Sequence, residues 1–282
     1  MSDFILFDPM FRTQYFIGLL LAVSLSLVGA FLKLREEWLA ALGLSHIAAA
    51  GGLAAGPLGI PVLASAFVFA GLAALIKGLL PRTDNSHYAL MIFVGWGAAL
   101  LLAANTHQGE VIGQALLRGQ LYFTHTPHLV AAIILLAILL SALSWLSPKL
   151  LTERFFPDYF SANRLPAWRH RLLFGLLVVG AVVLGTLAMG AMAAFAMFVV
   201  PPWVAFVLVK GWRKALVLTV IIAAVAYTVA FVLAMLLDQP FGPTLAICLA
   251  ATVSLRFLAN RAAREQGAPA EGPLGGRQQL DQ

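Results

Sequence analysis

The chain consists of long apolar runs separated by short polar segments. Seven runs contain no Asp, Glu, Lys or Arg, and they are residues 13–32, 38–76, 85–109, 119–148, 172–209, 215–237 and 239–255. About 20 apolar residues are enough for a helix to cross a bilayer core. The runs are continuous rather than alternating, which favours membrane-spanning helices over a barrel. Five of the seven runs therefore predict one span each.

The two longest runs, residues 38–76 and 172–209, are nearly twice that length. Basic residues flank both runs on both sides and tend to stay in the cytoplasm, so each run should cross the membrane and return. The sequence "GPLGIP" at residues 56–61 predicts the turn of the first hairpin. The second run has no such turn, and we expect shortened or re-entrant helices around residues 185–194. The pattern predicts about nine spans, with the N-terminus outside and the C-terminus inside; eight spans with one re-entrant segment are the alternative.

Composition assigns the chain to membrane proteins. Its 282 residues are 61% hydrophobic and 11% charged, with a mean hydropathy of +0.92, whereas about 25% of a soluble domain is charged. We therefore predict an all-α polytopic membrane domain over residues 1–260 and, from its Gly, Pro and Gln content, a disordered cytoplasmic tail over residues 261–282. The basic residues lie between apolar runs, as in cytoplasmic loops, and do not indicate nucleic-acid binding. The single cysteine, Cys248, excludes an intrachain disulfide and a cysteine metal cluster.

The longest polar stretch within the body of the chain is residues 147–171. It is too short for a domain, but it can form one short helix near residues 158–163, with Asp158 as N-cap. Its aromatic residues would be anchors for a cytoplasmic partner, and they are Phe155, Phe156, Tyr159 and Phe160. A solvated connector is the alternative.

Ser45 and His46 lie side by side inside an apolar run. Ser45 can donate a hydrogen bond to the carbonyl group four residues earlier, and His46 can be neutral and bonded to a neighbouring helix. Small residues surround the pair, which allows helices to approach closely or leaves room for a path.

Four motifs occur in an order that resembles one transporter family. "LREEWLAALGLSH" (34–46) is similar to a segment ending in GDxLSH, and "FFPDYFSANRLP" (155–166) is similar to a coupling-helix segment. "FVVPPWVAFVL" (198–208) and "DQPFGPT" (238–244) follow in the same order as in that family. The chain thus resembles the permease subunits of metal-ion ABC importers, the bacterial zinc, manganese and iron uptake family.

The resemblance implies roles for particular residues. His46 would line the translocation path and bind the transported metal, with Ser45 beside it, and Asp238 would lie near the outer gate. The segment of about residues 150–170 would dock an ATP-binding subunit through Phe156, Asp158, Tyr159 and Phe160. The acidic residue of the family motif is replaced here by Leu42, four residues before His46.

The resemblance also implies partners and a location. It predicts a second permease chain, identical or related, two ATP-binding subunits and an extracytoplasmic metal-binding protein, all at a bacterial cytoplasmic membrane. The cargo would be a divalent metal, zinc or manganese, with no tightly bound cofactor. The sequence holds no G-x-x-x-x-G-K-[ST] motif, so we expect a conduit rather than an ATPase.

Other functions explain the sequence less well. An ABC permease for a metal chelate or a vitamin is the nearest alternative, because Leu42 removes a carboxylate. A secondary transporter usually places ionisable groups within its spans, and apart from His46 this chain has almost none there. A membrane-embedded enzyme would need a motif such as HExxH or paired intramembrane aspartates, and we find neither.

Overall fold

The computed structural model describes residues 11–79, 85–106, 113, 119 and 121–265. These residues form nine helices of 18 residues or more, one four-residue helix and one 3₁₀ turn (Leu121–Phe123), and they contain no strand. The helices are α1 (Arg12–Leu34), α2 (Leu39–Leu58), α3 (Val62–Leu79), α4 (Asn85–Asn105), α5 (Thr126–Phe155), α6 (Tyr159–Ala162), α7 (Trp168–Met189), α8 (Ala191–Leu208), α9 (Trp212–Leu236) and α10 (Phe241–Glu265). The all-helical prediction is confirmed. Most of the predicted tail, residues 266–282, lies outside the described part of the chain.

Seven of the long helices are long and apolar enough to cross a membrane: α1, α2, α4, α5, α7, α8 and α9. The other two, α3 and α10, contain the shorter apolar stretches Val62–Lys77 and Phe241–Phe257. These two pack against the seven as part of the same bundle. The protein is thus a multi-pass membrane protein, and its described residues contribute nine long helices to the bundle.

Successive long helices run in opposite directions. The end of α1, the start of α2 and the ends of α3 and α5 meet in one set of ion pairs, which the start of α7 joins. The start of α9 lies there too, because the Trp212 ring contacts Phe31 of α1 and Phe206 of α8 at centroid distances of 4.9 and 5.7 Å. We call this the basic end of the bundle.

Aromatic rings meet at the opposite end. Tyr15 near the start of α1, Tyr122 in the 3₁₀ turn and Phe241 at the start of α10 all surround Phe231, near the end of α9, at centroid distances of 5.4, 5.9 and 6.3 Å. We call this the aromatic end. Among the described helices, the first therefore starts at the aromatic end and the last leads from the aromatic end towards the basic end.

Helix α1 forms the centre of the bundle. It packs against α5, α7, α8 and α9, and its Ile17, Leu25 and Val28 are fully buried. A Cβ atom at Gly29 would lie 2.0 Å from the carbonyl oxygen of Phe198, so only glycine lets α8 approach this closely.

Two glycines reverse the chain at the hairpins. Gly59, with φ of 66°, ends α2, and the N–H of Ile60 donates to the carbonyl of Ala55 at 3.2 Å, so the predicted turn is confirmed. The second hairpin has one residue between its helices, Gly190, whose φ of 87° an L side chain rarely adopts. Helix α8 is short, at 18 residues, but it returns to the basic end. The run thus forms the predicted hairpin with one short helix and no re-entrant segment, because a single glycine supplies the bend.

The close approach at Gly29 can be tested by adding one methyl group. We expect Gly29→Ala to destabilise the folded protein by about 1–3 kcal/mol, because backbone cannot move aside as a flexible side chain can. Gly175→Ala in α7 is the matched control, since a Cβ atom there meets nothing within 4 Å. Thermal melting in detergent should show a lower midpoint for the first variant only. Equal midpoints would mean that α1 and α8 are not this close.

Candidate functional site

Ser45 is fully buried on α2, and its hydroxyl group is hydrogen-bonded within that helix. The Oγ atom donates to the carbonyl oxygen of Ala41 at 2.7 Å. This is the local bond that the sequence offered as the structural explanation of a serine in an apolar helix.

His46 is held in one orientation by its own helix and by α4. Its Nδ1 lies 2.9 Å from the carbonyl oxygen of Leu42. When Nδ1 carries the proton and donates to that carbonyl, Nε2 keeps its lone pair, which is the arrangement that metal-binding histidines commonly use. The ring is stacked on Trp96 of α4, with 5.3 Å between centroids and 15° between planes. A Cβ atom at Gly95 would lie 2.7 Å from the His46 carbonyl carbon, so glycine is what brings α4 against the histidine.

One chain supplies only part of a metal site at this position. Leu42 stands one helical turn before His46, on the same face of α2, where a carboxylate would be a second ligand. Within the described residues there is no group of three or more His, Cys, Asp or Glu side chains that could hold a metal ion. A complete metal site at His46 would therefore need ligands of other kinds or from elsewhere, such as a second chain or water.

Asp238 lies apart from His46. It forms the turn between α9 and α10 with φ of 50°, and the N–H of Gln239 donates to the carbonyl of Ala234 at 2.8 Å. This turn is at the aromatic end, whereas His46 is seven residues from the start of α2 at the basic end, about 10 Å along the helix axis. The structure does not bring the two predicted residues together.

The predicted short helix is present as α6, Tyr159–Ala162. Asp158 is its N-terminal boundary, because the N–H of Ala162 donates to the carbonyl of Asp158 at 2.8 Å. The aromatic side chains around it divide into two groups. Phe155, Phe156 and Tyr159 are 67%, 65% and 47% exposed, whereas Phe160 is half-buried with its ring 4.6 Å from that of His170. Asp158 is also exposed.

Glu153 connects this segment to the rest of the bundle. One of its carboxylate oxygens accepts hydrogen bonds from Arg35 at 3.2 Å and from Nε2 of His170 at 3.0 Å, and the other accepts from Arg171. The Glu153 side chain is only 14% exposed and that of His170 only 3%. The end of α5, the start of α7 and the end of α1 are thus fixed to one carboxylate.

Arg35 extends these contacts to α2 and α3. It donates to Glu37 at 3.0 Å, and Lys77 donates to the other oxygen of Glu37 at 2.8 Å. Burial opposes ionisation of Glu37, but the charges of Arg35 and Lys77 outweigh it and hold its pKa below the ordinary value. We call Arg35, Glu37, Lys77, Glu153, His170 and Arg171 the charged cluster.

Sequence reasoning missed the charged cluster. His170 adjoins a loop and carries no pattern of its own, and it is separated from Glu153 by 17 positions and a turn of chain. The one available signal was the run Arg35-Glu36-Glu37 between two apolar runs, because paired opposite charges at a membrane boundary favour ion pairing.

Comparison with known proteins agrees with this architecture. The sequence profile of the ABC 3 transport family matches residues 7–260. No curated protein matches the chain closely enough to be counted as a relative. The chain belongs to the ABC 3 transport family, and it is the permease of an importer rather than an ATPase, as its resemblance to metal-ion permeases predicted.

Two solved structures share the fold. PsaBC from Streptococcus pneumoniae in complex with Fab superimposes with a TM-score of 0.79 at 17% identity, covering 92% of this chain and 96% of that one. A transporter described as metal-chelate type, in an inward-facing conformation, superimposes with a TM-score of 0.69 at 18% identity, covering 88% of this chain and 85% of that one. At these identities the likeness shows the fold alone.

The charged cluster predicts unequal effects of two similar substitutions. Glu153→Gln should destabilise the protein by about 1–3 kcal/mol, because it removes the counter-charge of Arg171 and one of the two counter-charges of Arg35. Glu36→Gln is the matched control. Its partner is Arg154, and at 70% and 44% exposure this pair should be worth about 0–1 kcal/mol. Denaturant titration of both variants in detergent measures the difference. Equal losses of unfolding free energy would show that the charged cluster contributes no more to stability than the exposed pair does.

Proposed function

We propose that this chain is the membrane-spanning permease subunit of a bacterial ABC importer for divalent metal ions, with zinc or manganese as cargo. Membership of the ABC 3 transport family supports the importer class. The basic end would face the cytoplasm, since Lys and Arg are retained on that side of a membrane. Partners would be a second permease chain, two ATP-binding subunits and an extracytoplasmic metal-binding protein, and lipid would surround the bundle.

One observation carries the mechanism: α6 is joined to the helix that bears His46. Phe160 of α6 contacts the His170 ring, His170 and Arg35 bond to the same oxygen of Glu153, and Arg35 bonds to Glu37, two residues before α2. Each contact is a direct one between side chains. A displacement of α6 would therefore be passed to the start of α2.

The exposed side chains around α6 would be the docking surface for the ATP-binding subunit. Phe156, Asp158 and Tyr159 point outward, and two exposed aromatic rings beside a carboxylate are typical of interface anchors. Phe160 would connect that surface to the charged cluster rather than contact the partner. ATP binding and hydrolysis in the partner would then switch the permease between outward and inward access.

His46 would be a weak ligand for the cargo. Its Nε2 lone pair suits a divalent transition metal, and a two-fold axis between two permeases would bring two copies together. Weak binding suits a path, because an ion held too tightly would not leave. Ser45 would stabilise α2 beside His46, and the turn at Asp238 would form part of the outer gate.

A second candidate cargo is a metal chelate or a vitamin. The observation that favours it is Leu42, which gives the His46 face of α2 an apolar side chain where a carboxylate would bind a bare ion. A chelate brings its own ligands and would need fewer from the protein. A proton- or sodium-coupled transporter has less support, because few ionisable side chains lie within the spans.

Docking at α6 can be tested with two exposed phenylalanines. Phe156→Ala should weaken binding of the ATP-binding subunit about tenfold or more, as truncation of an aromatic anchor does. Phe123→Ala, at 74% exposure in the 3₁₀ turn of the aromatic end, should leave binding unchanged. Pull-down titration of the permease against the purified subunit measures both. Equal affinities would remove Phe156 from the interface.

The cargo can be tested by transport. In liposomes holding the complete transporter, ATP-driven uptake of Zn²⁺ or Mn²⁺ should fall about tenfold or more in His46→Ala, because the path loses its ligand. His46→Gln should retain part of the rate, since Gln keeps a polar oxygen at the same place. Unchanged uptake in His46→Ala would remove this residue from the mechanism. Uptake of neither bare ion by the wild-type protein would favour the chelate.

A further inference from the structure

A groove opens on the surface of the bundle between α5 and α9. Both helices pack against α1 but make little contact with each other, so part of α1 is left uncovered between them. The groove has a volume of about 560 Å³, within the range of about 300–1,000 Å³ for small-molecule pockets. Leu27 and Phe31 of α1 form its floor, with Leu143 of α5 and Leu216 of α9 on its sides.

The groove has the length of one membrane leaflet. On α5 its lining extends from Leu140 to Leu151, about 16 Å at 1.5 Å per residue. The hydrocarbon core of a bilayer is about 30 Å thick, so one leaflet is about half of that. An apolar channel of this depth, open along the side of a membrane protein, fits an acyl chain.

Three of the four polar side chains in the lining, Ser147, Trp212 and Arg213, lie towards the basic end of the groove. Trp212 donates from Nε1 to the hydroxyl oxygen of Ser147 at 3.3 Å, which joins α9 to α5 there. Ser144 and Arg213 complete the polar lining. The Arg213 side chain is exposed and has no ion pair with any residue that the structure describes. A guanidinium group at the basic end can bind a phosphate group in a bidentate manner, through two parallel hydrogen bonds.

We propose that this groove is a binding site for one anionic phospholipid of the cytoplasmic leaflet. The acyl chain lies along Leu143 and Leu216, and the phosphate group pairs with Arg213 and the Ser147 hydroxyl. Basic pockets between membrane helices on the cytoplasmic side are suited to such headgroups. The proposal takes the orientation of the basic end from the proposed function but is independent of the cargo.

Charge complementarity favours this occupant over another protein helix. A helix that covered the groove would bury Arg213 and would have to supply a carboxylate at the membrane boundary, whereas an anionic lipid brings its own phosphate. The lipid would also close the gap over α1, the central helix of the bundle. It should therefore stabilise the fold in addition to being bound.

The test uses the purified full-length transporter in neutral detergent, titrated with phosphatidylglycerol or phosphatidylcholine. Phosphatidylglycerol should raise the melting midpoint at lower concentration, and native mass spectrometry should retain it on the permease. Arg213→Ala should weaken this preference about fivefold, as loss of one basic residue at a lipid surface does. Lys214→Ala, next in the chain but outside the groove lining, should bind as the wild-type protein does. Ser144→Trp should reduce binding of both lipids by filling the groove.

Several results would overturn the proposal. These are equal effects of the two lipids, equal losses in Arg213→Ala and Lys214→Ala, or full retention of lipid by Ser144→Trp. A further one is a disulfide between permease copies in Ser144→Cys on a Cys248→Ser background, because the groove would then be covered by a second chain.

Discussion

The structure of the basic end depends on one charged guanidinium group, that of Arg35, whose side chain is only 17% exposed. Two carboxylates make this possible, Glu37 on the turn after α1 and Glu153 at the end of α5. A cation this far from water is tolerated only when it is paired and hydrogen-bonded. Because each carboxylate also holds a further cation, the cluster joins five helices at one place, and the position of each depends on the others.

This arrangement explains why a transporter permease would place its charges at one end. In the proposed function, coupling needs a rigid connection between the surface that would dock the ATP-binding subunit and the helix that would contact the cargo. Hydrophobic contacts between helices can slide, whereas bonds with fixed donors and acceptors transmit displacement. The contacts from Phe160 through His170, Glu153 and Arg35 join α6 to the start of α2 and would supply that connection. Further along α2, Gly95 and Trp96 of α4 hold His46 in a single orientation.

The bundle was largely predictable from the sequence, because membrane helices are set by run length and flanking charge. The turn at Gly59 followed from "GPLGIP", and the short helix after Asp158 followed from its N-cap residue. The hairpin of residues 172–209 was predicted from its length and basic flanks, but the position of its turn was not, since one glycine with positive φ leaves no turn motif in the sequence. The role of His170 could not be predicted either, because it depends on contacts with Glu153 and Phe160 that form only in the folded chain. The orientation of His46 depended on Trp96, 50 residues later.

If α6 moves α2 through Glu153, as we propose, the coupling efficiency of the transporter should depend on this carboxylate. The measurement is the number of ATP molecules hydrolysed per metal ion taken up by reconstituted transporter, compared between the wild-type protein, Glu153→Gln and Glu36→Gln. We expect Glu153→Gln to hydrolyse ATP still, but to use several times more ATP per ion, whereas Glu36→Gln should match the wild-type ratio. An unchanged ratio in folded Glu153→Gln would contradict it, because the connection from the docking surface to α2 would then run elsewhere.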